Sequence, residues 1–367
     1  MEKVLILGVA AVQLDAIVML KKLGYEVHAC AMAKDGPGAD AADCFHLINI
    51  VDEAALEECV VKNKIRAVYS VGSDIAVPIA CRLSEKLNLP AFVSSKTAYI
   101  CNHKNKMRQA LGINCSGNIP FQVMERCGPV KIEFPCIMKP SDSQGQRGIF
   151  LVRSQADVDR YFDAALQYSR ERRVIIEHYV EGPELSVNGY MVDGNLRYMA
   201  ISDRDTWPAY TGLIRRHIVP SVNAGERQAA LIYDVFFNAC RLLGINNGPA
   251  YFQIKLENGV PFIIEMTPRL DGCHMWSVLE KSTGVNLLRL TFLHLLRGDI
   301  QELDHVFSNQ IPYELTFLCQ KPNTAFDGGA FEIPGDSEYS FYYYQNGDRI
   351  RPVNGRFEKV GYYTRRS

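Results

Sequence analysis

The first part of the chain alternates apolar runs with longer mixed ones. "KVLILG" (3–8) is apolar up to Gly8 and reads as a strand, and "AVQLDAIVMLKKLG" (11–24) reads as a helix closed by Gly24. "YEVHACA", "CFHLINI" and "RAVYSVGSD" are further strands, while "EAALEECVVKNK" and "IAVPIACRLSEKLNLP" are helices. Strand–helix alternation of this kind predicts a parallel sheet with right-handed crossovers over residues 1–95.

The pattern then changes. "KNKMRQALGINCS" is a helix with a glycine stop, and "FPCIMKPSDSQGQRGIFLVRS" is a hairpin whose strands end at Lys139 and restart at Gly148. A helix follows in "QADVDRYFDAALQYS". "RVIIEHYVEGPELSVNGYMVDGNLRYMAISD" reads as a strand, a short linker and two antiparallel strands turned at "DGN". Residues 203–213, "DRDTWPAYTGL", are expected to be a flexible loop able to act as a lid, and 213–220 a strand. A long helix spans 224–243, a hairpin turned at "ENG" spans 249–266, and 276–297 is helical. After about residue 300 the segments are short, aromatic and β-like. The expected division is an α/β domain at 1–95, a two-lobed region at 96–300 with its small lobe at about 115–180, and a β-rich region at 301–367.

Charge and composition narrow the function classes. With 40 basic and 41 acidic side chains, the chain has no general basic field with which to bind nucleic acid. No apolar run is long enough to span a bilayer. The apolar start is interrupted by Gln13 and Asp15, so it reads as strand, turn and helix rather than a signal peptide. The 11 cysteines include no C-x-x-C pair, which is the pattern of reduced, mostly buried thiols in a cytoplasmic protein and offers no zinc motif. Gly8 lacks the second and third glycines of a nicotinamide fingerprint, and neither a P-loop nor a D-F-G motif occurs.

Three stretches carry chemistry. Lys139 ends an apolar strand, as a snorkelling side chain or as a phosphate ligand. The loop beyond it, with Ser143, Gln144, Gly145 and Gly148, is of the small, polar, glycine-containing kind that lays backbone N–H groups over phosphate. "IIEHYVEGPE" is either an acidic turn or a linker whose backbone at Glu177, His178, Tyr179 and Val180 is free to pair with adenine, with Glu184 placed for ribose hydroxyls. "AYFQIKLENGVPFIIEMTPR" is a hairpin that sets Gln253 near Glu265. Its strand ends in a carboxylate, either a strand end meeting solvent or a magnesium ligand, with Arg269 just beyond to meet a transferring phosphoryl group.

In this order, Lys104 in "HKNKMRQALGI", Lys139 with its loop, the "EHYVEGPE" linker and "Q-x-K…PFIIEMTPR" resemble the ATP-grasp superfamily from residue 1 to about 297, nearest its carbamoyl-phosphate-synthase-like and amino-acid-ligase branches. The resemblance implies a mixed α/β and α+β fold: a parallel pre-grasp domain, two lobes holding ATP, and here a small C-terminal β-rich region. It implies that Lys104 and Lys139 contact phosphates, that 143–148 covers them, and that Glu177 to Val180 and Glu184 hold the nucleoside. Gln253, Glu265 and Thr267 would hold magnesium, or manganese in its place. Arg269, His217 and Arg215 would act at the reacting groups. Arg204, Trp207, Tyr210, Arg216 and His274 are candidates for substrate contact. Two departures stand out: Thr267 replaces a customary asparagine, and His103 a customary aspartate. The implied reaction joins a small carboxylic acid to an amine or ammonia through an acyl phosphate, in a cytoplasmic homodimer with no nucleic-acid or membrane partner. The alternatives are a bicarbonate-using carboxylase or carbamoyl-phosphate-synthase-like subunit, and an ATP-binding regulatory protein without turnover.

Overall fold

The computed structural model describes residues 1–142, 148–353 and 355–367. Three β-sheets follow one another along the chain. The first contains β1 (Lys3–Leu7), β2 (Glu26–Ala31), β3 (Cys44–Leu47) and β4 (Ala67–Tyr69) in the order β3-β2-β1-β4, every neighbouring pair parallel. Its crossovers are α1 (Ala11–Lys22), α2 (Pro37–Ala41) and α3 (Glu53–Asn63), and α4 (Ala76–Leu87) follows β4. Val4 to Leu7 are all buried because a parallel sheet is covered on both faces, which is why β1 is apolar throughout rather than alternating. No helix among the described residues is long and apolar enough to cross a membrane.

Helices α5 (Ser95–Asn102) and α6 (Lys104–Leu111) lead to a small antiparallel sheet. This sheet holds β5 (Phe121–Met124), β6 (Cys136–Pro140), β7 (Phe150–Val152) and β8 (Val174–His178), ordered β5-β8-β6-β7 and backed by α7 (Gln155–Leu166).

The third sheet has eight strands. They are β9 (Glu184–Val192), β10 (Asn195–Trp207), β11 (Tyr210–Val219), β12 (Gly248–Glu257), β13 (Val260–Thr267), β14 (Tyr313–Gln320), β15 (Tyr339–Tyr342) and β16 (Glu358–Arg366), ordered β13-β12-β9-β10-β11-β14-β16-β15. One face packs on α8 (Glu226–Leu243), whose buried Ile232, Val235, Phe236, Ala239, Cys240 and Leu243 recur at helical spacing. Phe236 stacks on Phe252 with ring centroids 4.1 Å apart, and Gly189 makes room for it, since a Cβ there would lie 2.3 Å from the Phe236 ring. The other face shares a core with the first sheet, where Val4, Ile6 and Leu20 join Tyr190, Leu315, Phe317 and Tyr362.

Three local expectations change. Residues 203–213 are not a loop: β10 runs to Trp207 and β11 begins at Tyr210, because both aromatic rings pack on Phe357 and hold the hairpin tip. Residues 276–297 form two helices, α9 (Met275–Thr283) and α10 (Leu287–Arg297), broken at Gly284, whose φ is +87° and where a Cβ would lie 2.2 Å from the His305 carbonyl oxygen. The C-terminal β region continues the large sheet, since β14 pairs with β11 and β16 with β14.

A buried ionic network ties these parts together. Arg108 on α6 is fully buried and donates from Nε to Glu177 Oε1 at 2.8 Å; Lys139 Nζ lies 2.5 Å from Glu177 Oε2. A second Arg108 nitrogen, Nη2, donates to the Ile264 carbonyl at 3.1 Å. The β12–β13 ladder steps from Gln253 opposite Glu265 to Ile254 opposite Ile263, so Ile264 is the extra residue of a bulge and its carbonyl is there for Arg108 to take. Burial pushes the Glu177 carboxyl up, but Arg108 and then Lys139 outweigh it and hold it down at about 2.

Replacing Arg108 by Met leaves a buried carboxylate short of a partner and is expected to cost about 3–5 kcal/mol, read from urea denaturation. Because the folded carboxyl titrates near 2 and an unfolded one near about 4.3, its contribution is fully present above the unfolded value and is lost as pH falls toward the folded one. Glu177→Gln is therefore expected to lower stability at neutral pH and to flatten the acid limb between roughly pH 4.5 and 2.

Candidate active site

The site is built outward from the β12–β13 hairpin. Its turn residues Asn258 and Gly259 have φ of +52° and +79°, the signature of a two-residue turn whose twist matches the strands. That turn and the bulge fix the register, placing Gln253 opposite Glu265 and Tyr251 opposite Thr267. Paired positions and positions two apart share a face, so these four side chains stand together. The Glu265 carboxylate is 41 % exposed, and its one ion-pair partner among the described residues is Lys104, at 3.8 Å. Gln253 donates from Nε2 to Glu184 Oε1 at 2.6 Å, which leaves its amide oxygen as a ligand atom, and Glu184 also forms an ion pair with Arg204. Glu265, Gln253 and the Thr267 hydroxyl are hard oxygen donors on one face, and they fit a magnesium ion.

The linker differs from expectation. Glu177 backbone is paired on both sides, to Phe121 and Ile137, and its side chain belongs to the buried network. The N–H groups of His178 and Tyr179 are not free either: they donate to Pro120 and Pro135 carbonyls, each at 3.0 Å. The strand hydrogen bonds of the small sheet simply run two residues further than the polar texture suggests. The Val180 N–H has no partner among the described residues, whereas the Val180 carbonyl accepts from Lys255 Nζ at 3.2 Å. The His178 ring lies 3.2 Å from Glu257, which also caps the Glu181 N–H. Ser143, Gln144 and Gly145 lie outside the described residues. Gly148, just before β7, has φ +71°. Lys139 is largely committed to Glu177, and burial lowers its pKa, so Lys104 is the more available cation.

Beyond Arg269 lies a polar chamber in the sense of a cluster of buried polar side chains. Arg204 on β10 stands opposite His217 on β11. The ladder steps from Asp205 opposite Arg216 to Thr206 opposite Ile214, which leaves Arg215 as the extra residue of a second bulge. His217 is wholly buried with neither ring nitrogen hydrogen-bonded, and Asp271 Oδ2, Asn188 Nδ2 and Arg204 Nε are also buried without hydrogen bonds among the described residues, whereas Arg215, expected at the reacting groups, is 40 % exposed and turns to Asp205 at 3.6 Å. An unpartnered buried polar atom costs about 1–3 kcal/mol, so such a group marks a place shaped for a polar ligand. Lys359 on β16 reaches in from the C-terminal strands, its Nζ 3.6 Å from Cys273 Sγ and 3.6 Å above the Phe317 ring centroid. Burial, then Arg204 and Lys359, push the His217 pKa well below its ordinary value and keep the ring neutral. Burial pushes the Cys273 thiol up to about 11 and raises the Asp271 carboxyl. The donor atoms of His217, Asp271 and Cys273 lie within 4.8 Å of one another, but the cations Arg204 and Lys359 beside them oppose a metal and suit an anionic or neutral polar group.

Arg269 is buried and held by Asp74, with Nε at 2.7 Å and Nη2 at 2.6 Å, so the first sheet's β4–α4 loop seals this end of the site. Other candidates are placed differently. Arg216 alternates with His217 onto the opposite face, where it meets Asp205 at 2.6 Å and Glu314 at 3.6 Å. His274 has both ring nitrogens occupied, by Asp15 at 2.7 Å and the Tyr343 hydroxyl at 2.9 Å, and acts as a tie between α1 and the C-terminal strands rather than a substrate contact. Trp207 and Tyr210 are packed on Phe357. Asp271 and Cys273 fall in the stretch "DGCHMW" (271–276), where the sequence places substrate specificity; Arg108, Asn188 and Lys359 were missed. Arg108 had a signal, four residues after Lys104 on one helix face; Lys359 had none, because only the sheet order brings it there.

Comparison with known proteins bears on the domain and the fold. A family model described as an ATP-grasp domain matches residues 132–276. Dapdiamide A synthase of Enterobacter agglomerans is 24 % identical over 236 residues, 60 % of this chain and 54 % of that protein. A formate-dependent phosphoribosylglycinamide formyltransferase of Dechloromonas aromatica is 26 % identical over 196 residues, 49 % of this chain and 47 % of its own length. The match thus spans about half the length of these relatives. Among solved structures, the L-amino acid ligase from Bacillus licheniformis superposes with a TM-score of 0.81 at 20 % identity, covering 100 % of this chain and 94 % of that one. The phosphoribosylglycinamide synthetase from Anaerococcus prevotii superposes with a TM-score of 0.80 at 16 % identity, covering 100 % and 94 %. Residues 132–276 match the ATP-grasp domain model, and the chain as a whole has the ATP-grasp fold.

Proposed function

We propose that the protein is an ATP-dependent carboxylate–amine ligase that joins a small organic acid to an amine and releases ADP and phosphate. The observation that carries this reading is the placement of Glu265 and Gln253, in register on one hairpin, between a phosphate-side cation, Lys104, and a buried chamber of unpartnered polar groups. A nucleotide-handling edge joined to a sealed polar chamber is what acyl activation requires, because the acyl phosphate must be kept from water.

In this reading ATP lies between the small sheet and the large one. Its adenine edge meets the Val180 N–H and its phosphates meet Lys104 and Lys139. Glu265, Gln253 and Thr267 would hold magnesium, which when bound supplies charge neutralisation for the phosphates. The acid's carboxylate oxygen attacks the γ-phosphorus, the bond to ADP breaks, and Arg269 stabilises the charge on the transferring group. The amine nitrogen then attacks the acyl carbon and phosphate leaves. The amine must shed a proton as the amide forms, and the departing phosphate can carry it; His217, held neutral by burial and by Arg204 and Lys359, is suited to hydrogen-bond a polar group of the substrate rather than to take the proton. The chamber carries more polar groups than bicarbonate can engage, which favours an organic acid over a carboxylase reaction. Relatives named for ligase chemistry, an L-amino acid ligase and dapdiamide A synthase, support amino-acid-like acids as the first substrates to test.

Magnesium-dependent ADP release is expected from one acid–amine pair in a panel of amino acids and sugar acids offered with ammonia and simple amines. Glu265→Ala should lower that rate by at least about a hundredfold, in the range seen when one transition-state charge contact is removed. His217→Gln should lower turnover while leaving ATP binding, followed by calorimetry, unchanged. Absence of ATP binding by the unaltered protein would overturn the proposal.

A further inference from the structure

A second cluster of ligand-type side chains lies on the first sheet, among residues the ligase reading does not use. Strands β2 and β3 pair in parallel with His28 beside Cys44 and Cys30 beside His46. Residues two apart share a face, so Glu26, His28, Cys44 and His46 project from one side of the sheet. The ligand atoms of Glu26, His28 and Cys44 all lie within 4.8 Å of one another. His28 is 1 % exposed, while Glu26 and Cys44 are partly exposed, so the cluster is anchored on its inner side and open on its outer side.

We propose that Glu26, His28 and Cys44 form a binding site for a zinc-type transition-metal ion, with His46 as the positioning residue behind it. The donor set is one carboxylate oxygen, one imidazole nitrogen and one thiolate sulfur, all accepted by zinc. With metal–nitrogen and metal–oxygen bonds of about 2.0–2.1 Å, two ligand atoms on a tetrahedral ion sit about 3.3 Å apart. His28 Nε2 and Glu26 Oε1 are 3.1 Å apart, near that spacing before any ion is added. The other ring nitrogen, His28 Nδ1, is 2.8 Å from His46 Nε2, and the two rings stack with centroids 5.1 Å apart. A ligating histidine usually has its second nitrogen held this way, which fixes its tautomer and its aim. Three protein ligands leave a fourth position toward solvent.

The local charges allow it. Lys3 lies 3.1 Å from the same Glu26 oxygen, yet both side chains are about one-third exposed, and an exposed ion pair of this kind is weak and displaceable. Asp43, next to Cys44, brings negative charge to the same edge, where Lys21 balances it at 2.8 Å. Lys62 of α3 faces His46. Binding would exchange the Cys44 thiol proton for the ion and clamp the four-residue edge strand β3 to β2.

The test is a cobalt(II) titration of the full chain with a phosphine reductant and no chelator, followed by competition with zinc(II). One cobalt per chain is expected, with a near-ultraviolet thiolate-to-cobalt band that zinc bleaches. Cys44→Ser should abolish the band, and His46→Ala should weaken binding by about ten- to a hundredfold. Lys3→Met should tighten binding, which a purely structural role for the cluster does not predict. Cys127→Ser removes the exposed thiol elsewhere on the surface and should change nothing. Should His28→Asn fail to fold, Cys44→Ser and Glu26→Gln, at partly exposed positions, still decide the matter. A missing band, or one that survives Cys44→Ser or disappears in Cys127→Ser, refutes the site.

Discussion

One guanidinium organises the junction of the small and large sheets. Arg108 is buried where α6, the small sheet and the large sheet meet, and it serves a different partner in each of the two sheets: Glu177 in β8 and the Ile264 carbonyl in β13. A buried charge cannot remain unpaired, so Glu177 must face it, and the second carboxylate oxygen then recruits Lys139 from β6. The same guanidinium satisfies the backbone group that the bulge in β13 sets free. That bulge turns Glu265 toward Gln253 and Lys104. The position of the candidate metal ligand thus depends on a side chain that touches neither metal nor phosphate.

The polar chamber follows a different rule. Several of its polar atoms, both His217 ring nitrogens and Asp271 Oδ2 among them, are desolvated without a hydrogen bond among the described residues, the opposite of the arrangement around Arg108. A folded chain tolerates such groups where a ligand will complete them, and the surrounding packing has to carry their cost. Here the carrier is the core shared by the first and third sheets, in which Leu315, Phe317 and Tyr362 of the C-terminal strands join Val4 and Ile6.

Much of this was legible in the sequence wherever the signal was local. The apolar run of β1, the period of α8 and the Asn258-Gly259 turn follow from pattern and turn chemistry, and the turn alone nearly fixes Gln253 against Glu265. Residues whose meaning depends on distant strands were misread or missed. His274 is a candidate substrate contact by sequence, yet Asp15 and Tyr343, far away in sequence, occupy both its nitrogens. Residues 203–213 form a hairpin rather than a loop because Phe357, far along the chain, anchors Trp207 and Tyr210. Lys359 reaches the chamber through the order β11-β14-β16, which no window of sequence contains. The Glu26, His28 and Cys44 cluster has no motif spacing because parallel strands gather it across a crossover.

The place of β16 in the large sheet also bears on the order in which the protein is made. Domains fold broadly from the N-terminus as the chain emerges, so the nucleotide-facing residues, all of them before residue 270, can assemble while later segments are still being synthesised. The chamber cannot: its last cation, and the strand that walls it, arrive with β16. On the proposed reading, a nascent chain completes its nucleotide edge before its polar chamber. The candidate site is closed last, by the last strand of the large sheet to be made.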